Sequence, residues 1–171
     1  MRLIAFILQS ILFASPVLAG DGLVAEKSTV HAAFLYNFAL LTEWPDPIDG
    51  DFNICILGDD PILKTLEAVK SKQVRGKSIH IMVLPSSAQS RSCHILYIAK
   101  QEHHDMRHIA HLIGDAPVLA VTEENSFDPA DTIITFSEQD NRIGFKINLT
   151  QARKRSLNLS SKLLMLAKQV Y

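Results

Sequence analysis

The sequence predicts an α/β domain: one mainly parallel, mixed sheet with helices packed on both faces, a closing β-hairpin and a C-terminal helix. Three observations carry this. Apolar runs of strand length alternate with segments of helical period between residues 26 and 122, the order that builds parallel sheets. Two further short apolar runs flank the polar stretch Glu138-Gln-Asp-Asn141, which reads as a hairpin and makes the sheet mixed. A length of 171 residues with 47% hydrophobic side chains suits one globular domain and excludes a disordered chain.

The elements follow in order. Glu26 to Trp44 reads as a helix, because Val30, Ala33, Phe34, Phe38 and Leu41 recur at three- and four-residue spacing, and Pro45 and Pro47 stop it. Phe52 to Leu57 is a strand closed by Gly58-Asp-Asp-Pro61. Asp60 is a good N-cap and Pro61 a good first helical residue, so a helix is expected to about Lys70. Ser78 to Leu84 alternates as a strand, Pro85 to Ser92 is a polar connection, and Cys93 to Ala99 is a third strand. Glu102 to Ile113 is a short helix ended by Gly114, and Pro117 to Thr122 a fourth strand. Glu123 to Asp131 is a loop, and Thr132 to Phe136 with Ile143 to Ile147 form the hairpin. Leu149 to Tyr171 is helical in two pieces around Ser156-Leu-Asn158, with Leu159, Leu163, Leu164, Leu166, Ala167 and Val170 supplying a broad apolar face. That face reads as core laid on the sheet, the alternative being an exposed helix for dimer or partner contact.

The first nineteen residues stand apart from this pattern. A basic start at Arg2, an apolar run from Leu3 to Ala14, the breaker Ser15-Pro16 and small or short residues at Val17 and Ala19 read as a secretory signal peptide cut after Ala19. The apolar run is shorter than the ~20 residues a bilayer span needs. The mature chain is therefore expected to be exported, which in a Gram-negative bacterium means the periplasm, with no membrane insertion of its own. The 17 basic and 18 acidic residues give a net charge of −1, which argues against a nucleic-acid surface.

Catalytic chemistry is thin. The sequence has no Gly-rich phosphate loop, no Gly-x-Ser-x-Gly elbow and no His-Glu-x-x-His helix, and it calls for no cofactor. Asp59 and Asp60 end the first strand, where α/β folds often place ligands. They could hold a metal or act as a base, but a turn and helix cap is the plainer reading. Ser160 and Ser161 lie beside Lys162 with no acid or histidine placed near them. His31, His80 and His94 are scattered and read as packed or surface residues. His103, His104, His108 and His111 cluster. On a helix, His104, His108 and His111 form one polar stripe opposite Met106, Ile109, Ala110 and Ile113. That stripe is a weak metal candidate and more simply an exposed polar face. Cys55 and Cys93 lie in predicted strands. They are either bridged, as an oxidising compartment favours, or free core thiols.

His31-Ala-Ala-Phe-Leu-Tyr-Asn-Phe-Ala39 and Glu43-Trp-Pro45 resemble the first helix of the YfiR family. Ile54-Cys-Ile-Leu-Gly-Asp-Asp-Pro61, Arg75-Gly-Lys77, Cys93-His-Ile-Leu-Tyr-Ile98 and Val118-Leu-Ala-Val-Thr122 follow in order. Phe145-Lys-Ile-Asn148, Ala152 and Leu159-Ser-Ser-Lys-Leu-Leu164 complete the likeness, which spans residues 27 to 170 and implies a signal peptide at 1–19 and a YfiR-like domain at 26–171. The resemblance implies a non-enzymatic periplasmic regulator. Such a protein binds the periplasmic sensory domain of an inner-membrane diguanylate cyclase and represses it, limiting cyclic di-GMP and biofilm formation. It also implies a possible homodimer, and a disulfide between Cys55 and Cys93, which fall at the family's strand cysteines. Two departures stand out. A second cysteine pair found in some members is missing, which removes redox control through such a pair. Ala130-Asp131 replaces a frequent Gly-Gly, a departure that bears on the partner-facing hairpin the resemblance implies. A small-molecule sensor domain is the alternative, favoured by a pocket near Gly58 to Pro61. An enzyme would need converging acid, base and nucleophile. The partner-binding surface is not readable; Tyr36, Phe38, Trp44 and Phe127 are aromatic candidates that read mostly as core.

Overall fold

Helix α1 (Gly20–Leu41) leads into a three-layer α/β domain, seen in a computed structural model that describes residues 20–45, 47–124, 131–140 and 142–171, with side chains from Lys27 onward. The next elements are β1 (Thr42–Glu43), β2 (Phe52–Leu57), α2 (Ile62–Leu66), β3 (Gln73–Val74), β4 (Lys77–Leu84), β5 (Ile95–Ile98) and α3 (Met106–Ile113). Then come β6 (Leu119–Glu123), β7 (Ile134–Gln139), β8 (Arg142–Ile147), α4 (Leu149–Lys154), β9 (Asn158–Leu159), α5 (Ser161–Leu166) and β10 (Gln169–Val170). The main sheet has eight strands in the order β10-β8-β7-β6-β5-β2-β4-β3. Strands β4, β2, β5, β6 and β7 run parallel, β7 and β8 form the antiparallel hairpin, and β10 returns parallel to β8.

The central strands are apolar throughout because both of their faces are covered. Successive side chains point to opposite faces. Ile54, Ile56, Ile95, Tyr97, Leu119 and Val121 therefore pack with Leu35 and Phe38 of α1, Ile62 and Leu66 of α2 and Leu163 of α5. Their neighbours Cys55, Leu57, Leu96, Ile98 and Ala120 pack with Met106, Ile109 and Ile113 of α3. Each fully buried Leu, Ile or Phe contributes ~1.5–3 kcal/mol. Cys55 and Cys93 are joined in this second layer with Cα atoms 5.8 Å apart, tying β2 to the segment that enters β5.

Several boundaries differ from the sequence reading, each for a local reason. Helix α1 ends at Leu41, before Trp44, because Thr42 and Glu43 pair antiparallel with Leu159 and Asn158. Its inward stripe runs through Ser28, His31, Ala32, Leu35, Phe38 and Ala39, while Ala33 is exposed and Val30 and Leu41 only half-buried. The helix after Pro61 keeps α geometry only to Leu66 and then tightens into a 3-10 turn at Glu67–Val69. Likewise Lys100–Asp105 is a 3-10 turn ahead of α3, which Gly114 terminates at a φ of +56°. The hairpin turn is tighter than expected, since the strands run to Gln139 and resume at Arg142.

The C-terminal segment departs most. It is not two helices with one broad apolar face. The six-residue α5, capped by Ser160 accepting from the Leu163 amide, is too short to propagate. Beyond it the chain extends and docks on β8, with Lys168 N–H donating to Phe145 O at 2.8 Å and Tyr171 N–H to Ile147 O at 3.0 Å. Leu159 and Leu163 are core as expected, whereas Leu166 and Val170 face outward.

Two outcomes follow for stability. Leu163→Ala is expected to cost about 2–5 kcal/mol by opening a cavity, while Leu166→Ala, at a 58% exposed position, changes stability by less than ~0.5 kcal/mol. Urea unfolding separates them, and equal losses would place Leu166 in the core. Removing the bridge by Cys55→Ala with Cys93→Ala is expected to cost roughly 3–4 kcal/mol. Thiol titration of the denatured, unreduced chain is expected to find no reactive thiol, and two per chain would break this account.

Candidate functional site

The chain leaves β2 to one side to make β4, then crosses to the other side to make β5. At such a switch point the carboxyl ends of the strands diverge and open a crevice. Here the loop after β2 must pass close to the segment after β5. Gly58 allows this at a φ of +90°, where a Cβ would lie 3.0 Å from both Ala99 Cβ and Glu102 Cγ.

Polar side chains from four elements converge at this end of the sheet. Asp60 accepts from the Ile62 amide at 2.9 Å, capping the turn that starts α2. The fully buried Tyr97 hydroxyl lies 3.1 Å from Glu123 Oε1 and 3.3 Å from Asp60 Oδ2. Glu123, at the end of β6, also receives Lys27 Nζ from α1 at 2.8 Å, and Lys27 lies 3.5 Å from Glu138 on β7. One turn along α1, His31 stacks on Phe136 with centroids 4.0 Å apart and places Nδ1 3.6 Å from Glu123 Oε1.

The electrostatics follow from burial and pairing. Burial holds the His31 imidazole down at about 4, against the pull of Glu123, so it is neutral at pH 7. Burial raises the Glu123 carboxyl, but the hydrogen bond and charge of Lys27, with His31 and Tyr97, outweigh it and leave the group below its ordinary range. Asp60 is raised by burial, and Tyr97 is raised by burial with both carboxylates beside it.

Lys27, His31, Glu123 and Glu138, but not Asp60 or Tyr97, border a cavity of about 280 Å³ whose wall Lys100, Glu124, Phe136, Ser137 and Ile143 complete. Two buried polar atoms of these residues, His31 Nε2 and Ser137 Oγ, are closed to solvent and have no hydrogen-bond partner among the described residues. Ser137 and His31 thus share a cavity without bonding each other, so no serine nucleophile is engaged by its base here. The arrangement can hold a polar molecule.

The residues singled out in the sequence fare unevenly. Asp60 belongs to the cluster, but Asp59 is exposed, so the two acids do not act as a pair. His104 lies on the 3-10 turn and His108 and His111 on α3, all exposed. No group of three or more metal-binding side chains occurs among the described residues. The fourth member of that cluster, His103, is buried with Nε2 2.6 Å from Thr122 Oγ1. His80 is exposed, and His94 stacks on Phe52 while its Nδ1 accepts from the Asn53 amide. Ser160 is a helix cap. Phe38 is core, Tyr36 and Trp44 are half-buried, and Phe127 lies outside the described residues. Lys27, Tyr97, Glu123 and Ser137 were not anticipated. Their signal is positional: Glu123 directly follows the apolar run of β6, at a strand's carboxyl end.

A family model described as YfiR/HmsC-like matches residues 28–168. No curated protein matches the chain. No helix among the described residues is long and apolar enough to cross a membrane.

Acid should loosen the fold through His31. Its folded value of about 4 lies below the ordinary 6.5, so the unfolded chain binds the proton first. The stabilisation is complete above about pH 6.5, declines as pH falls and is gone below about pH 4, amounting to roughly 3 kcal/mol. His94 and His103, also lowered by burial, add in the same sense. Denaturation midpoints between about pH 7 and pH 5 should fall less steeply for His31→Phe, which keeps the ring stack without the titrating nitrogen. Equal slopes would remove His31 from this role.

Proposed function

Because this chain belongs to the YfiR/HmsC-like family, we propose that it is a regulatory binding protein of the periplasm. It represses a membrane-bound diguanylate cyclase through that enzyme's periplasmic sensory domain, and so limits cyclic di-GMP and biofilm formation. The observation that carries the reading is the family match over residues 28–168. In the same reading, residues 1–19 are an export signal removed after Ala19.

A repressor of this kind needs a surface, not a reactive centre. It must bind the inactive state of its partner more tightly than the active one, and that difference alone sets how far it shifts the balance. Moving a cyclase from almost wholly on to almost wholly off takes a difference of about 5.5 kcal/mol. Buried apolar side chains at a contact supply energy of that order. Four of the six exposed large apolar side chains among the described residues gather at the end of the fold, Met165 at 78%, Leu166 at 58%, Val170 at 39% and Tyr171 at 40%, with Leu40 and Val83 apart from them. The segment from α5 to β10 is therefore the contact surface in this reading. The internal pairing of Lys27, Glu123, Tyr97 and Asp60 suits a positioned scaffold better than acid–base turnover.

Capture of detergent-solubilised inner membranes on the purified chain is expected to retain a diguanylate cyclase, identified by mass spectrometry. Its isolated sensory domain should bind the chain, and Leu166→Glu should weaken binding about tenfold or more. The control Val83→Glu, at an exposed position of β4, should not. Retention of no cyclase, or equal effects of both substitutions, would defeat the reading.

A further inference from the structure

The eight-stranded sheet ends on one side in β3, a strand of two residues beside a β4 of eight. β3 covers β4 only at Lys77 and Ser78. Further along, no hydrogen bond among the described residues reaches the outer edge of β4 between His80 and Leu84.

The turn before β4 fixes which backbone groups lie on that edge. Arg75 and Gly76 have φ of +51° and +78°, as in the mirror-image turn that joins two hairpin strands through two residues. Val74 and Lys77 flank it and face each other as a hydrogen-bonded pair. Lys77 therefore turns its N–H and C=O outward, and every second residue after it does the same. The register of β4 on β2 runs unbroken from Ile79 to Leu84, so Ile81 and Val83 also point outward. Their free N–H and C=O groups are a template for one more strand.

Only another extended backbone matches that row of donors and acceptors. Edges that remain single are blunted by charges, proline or a bulge. His80-Ile-Met-Val-Leu84 has no Lys, Arg, Asp, Glu or Pro, and its register has no bulge. Val83 is 53% exposed, while Ile81 and Met82 are half-buried at the margins of the two core layers.

The bounds of the open stretch fit it to itself. It begins past β3 and stops before Pro85, so Met82 is its midpoint. Laid antiparallel on a second copy about a two-fold axis at Met82, Ile81 lies opposite Val83 of the second copy, and Val83 opposite its Ile81. Both pairs are outward-facing and exchange N–H···O bonds. Residues directly opposite share a face, so each exposed Val83 is covered by an isoleucine. The two Met82 side chains meet on the other face, where a flexible thioether adapts to its neighbour. His80 lies opposite Leu84, so each strand turns away before it reaches the other copy's β3. No charge is buried, and one edge serves both copies, which closes the assembly.

We propose that two copies of this chain pair antiparallel through the outer edges of β4, centred on Met82, and extend the sheet across a two-fold axis. The C-terminal segment stays free in this dimer, because β10 lies at the opposite end of the strand order. The proposal is therefore independent of the cyclase reading.

Sedimentation equilibrium of the purified mature chain between ~10 µM and ~1 mM is expected to show a monomer–dimer equilibrium with a Kd of about 100 µM or tighter. Amide exchange followed by NMR at the two concentrations reads the surface on the unaltered chain. Exchange at Ile81 and Val83 should slow about fourfold or more at the higher one. Val83→Lys should weaken association about tenfold or more, while Val83→Thr, which keeps the branched shape, should largely retain it. Leu166→Glu should leave it unchanged, and circular dichroism checks that each variant folds. A chain that stays monomeric at ~1 mM overturns the proposal. So does association unaffected by Val83→Lys, protection that appears at Val170 instead of Ile81 and Val83, or a mass that grows beyond the dimer with concentration.

Discussion

One carboxylate organises the polar end of this molecule. Glu123 accepts from Tyr97 of the central sheet and from Lys27 of the first helix, and faces His31 one helical turn further on. A parallel sheet covered on both faces has no room for such a group along its length, since an unpaired charge between layers is strongly unfavourable. At the carboxyl end of β6 the same charge has partners from two layers. It fixes the register of α1 against the sheet, and with it the inward direction of His31, Leu35 and Phe38. Losing one partner would leave the others buried and unmatched, which costs more than the pair itself contributes.

The parts that were legible in the sequence are those whose burial leaves a mark in composition. Ile54 to Leu57, Ile95 to Ile98 and Leu119 to Val121 are continuous apolar runs because both faces are covered. Gly114, with its positive φ, stops α3 where expected. What was hidden depends on distant pairing. The two-residue strands β1, β3, β9 and β10 have no pattern of their own and exist because a partner's backbone groups wait beside them. The inward stripe of α1 was misplaced because it contains a histidine, and a stripe counted over apolar types alone skips it. Lys27 and Glu123 are 96 residues apart, beyond any local signal. The three exposed histidines show the reverse case: a regular spacing that the fold uses only as a solvated face.

The disulfide and the polar cluster divide the sheet between them. The bridge lies in the layer under α3, near the amino end of β5, where Cys93 precedes the strand. The cluster lies at the carboxyl ends, on the side of α1. One end is therefore held covalently and the other by paired charges. Only the second responds to protons, because a disulfide does not titrate.

The hairpin β7–β8 connects the polar end of the sheet with the contact surface proposed for the C-terminal segment. Ser137 on β7 borders the cavity, opposite Gly144 on β8, and β8 in turn pairs with β10 through Lys146 and Ile147. The exposed Val170 is carried by that last strand, and Leu166 by the helix just before it. A ligand changes partner affinity only if it binds two arrangements of the intervening element unequally. The first five strand pairings from β4 to β8 are extensive, whereas β10 is held by a two-residue ladder at the sheet edge. Edge strands with few hydrogen bonds open at lower free energy than central ones. Backbone bonds on either side of that ladder, Lys168 N–H to Phe145 O and Tyr171 N–H to Ile147 O, fasten β10 to the hairpin, so the exposed Val170 is positioned by the same β8 backbone that pairs with β7.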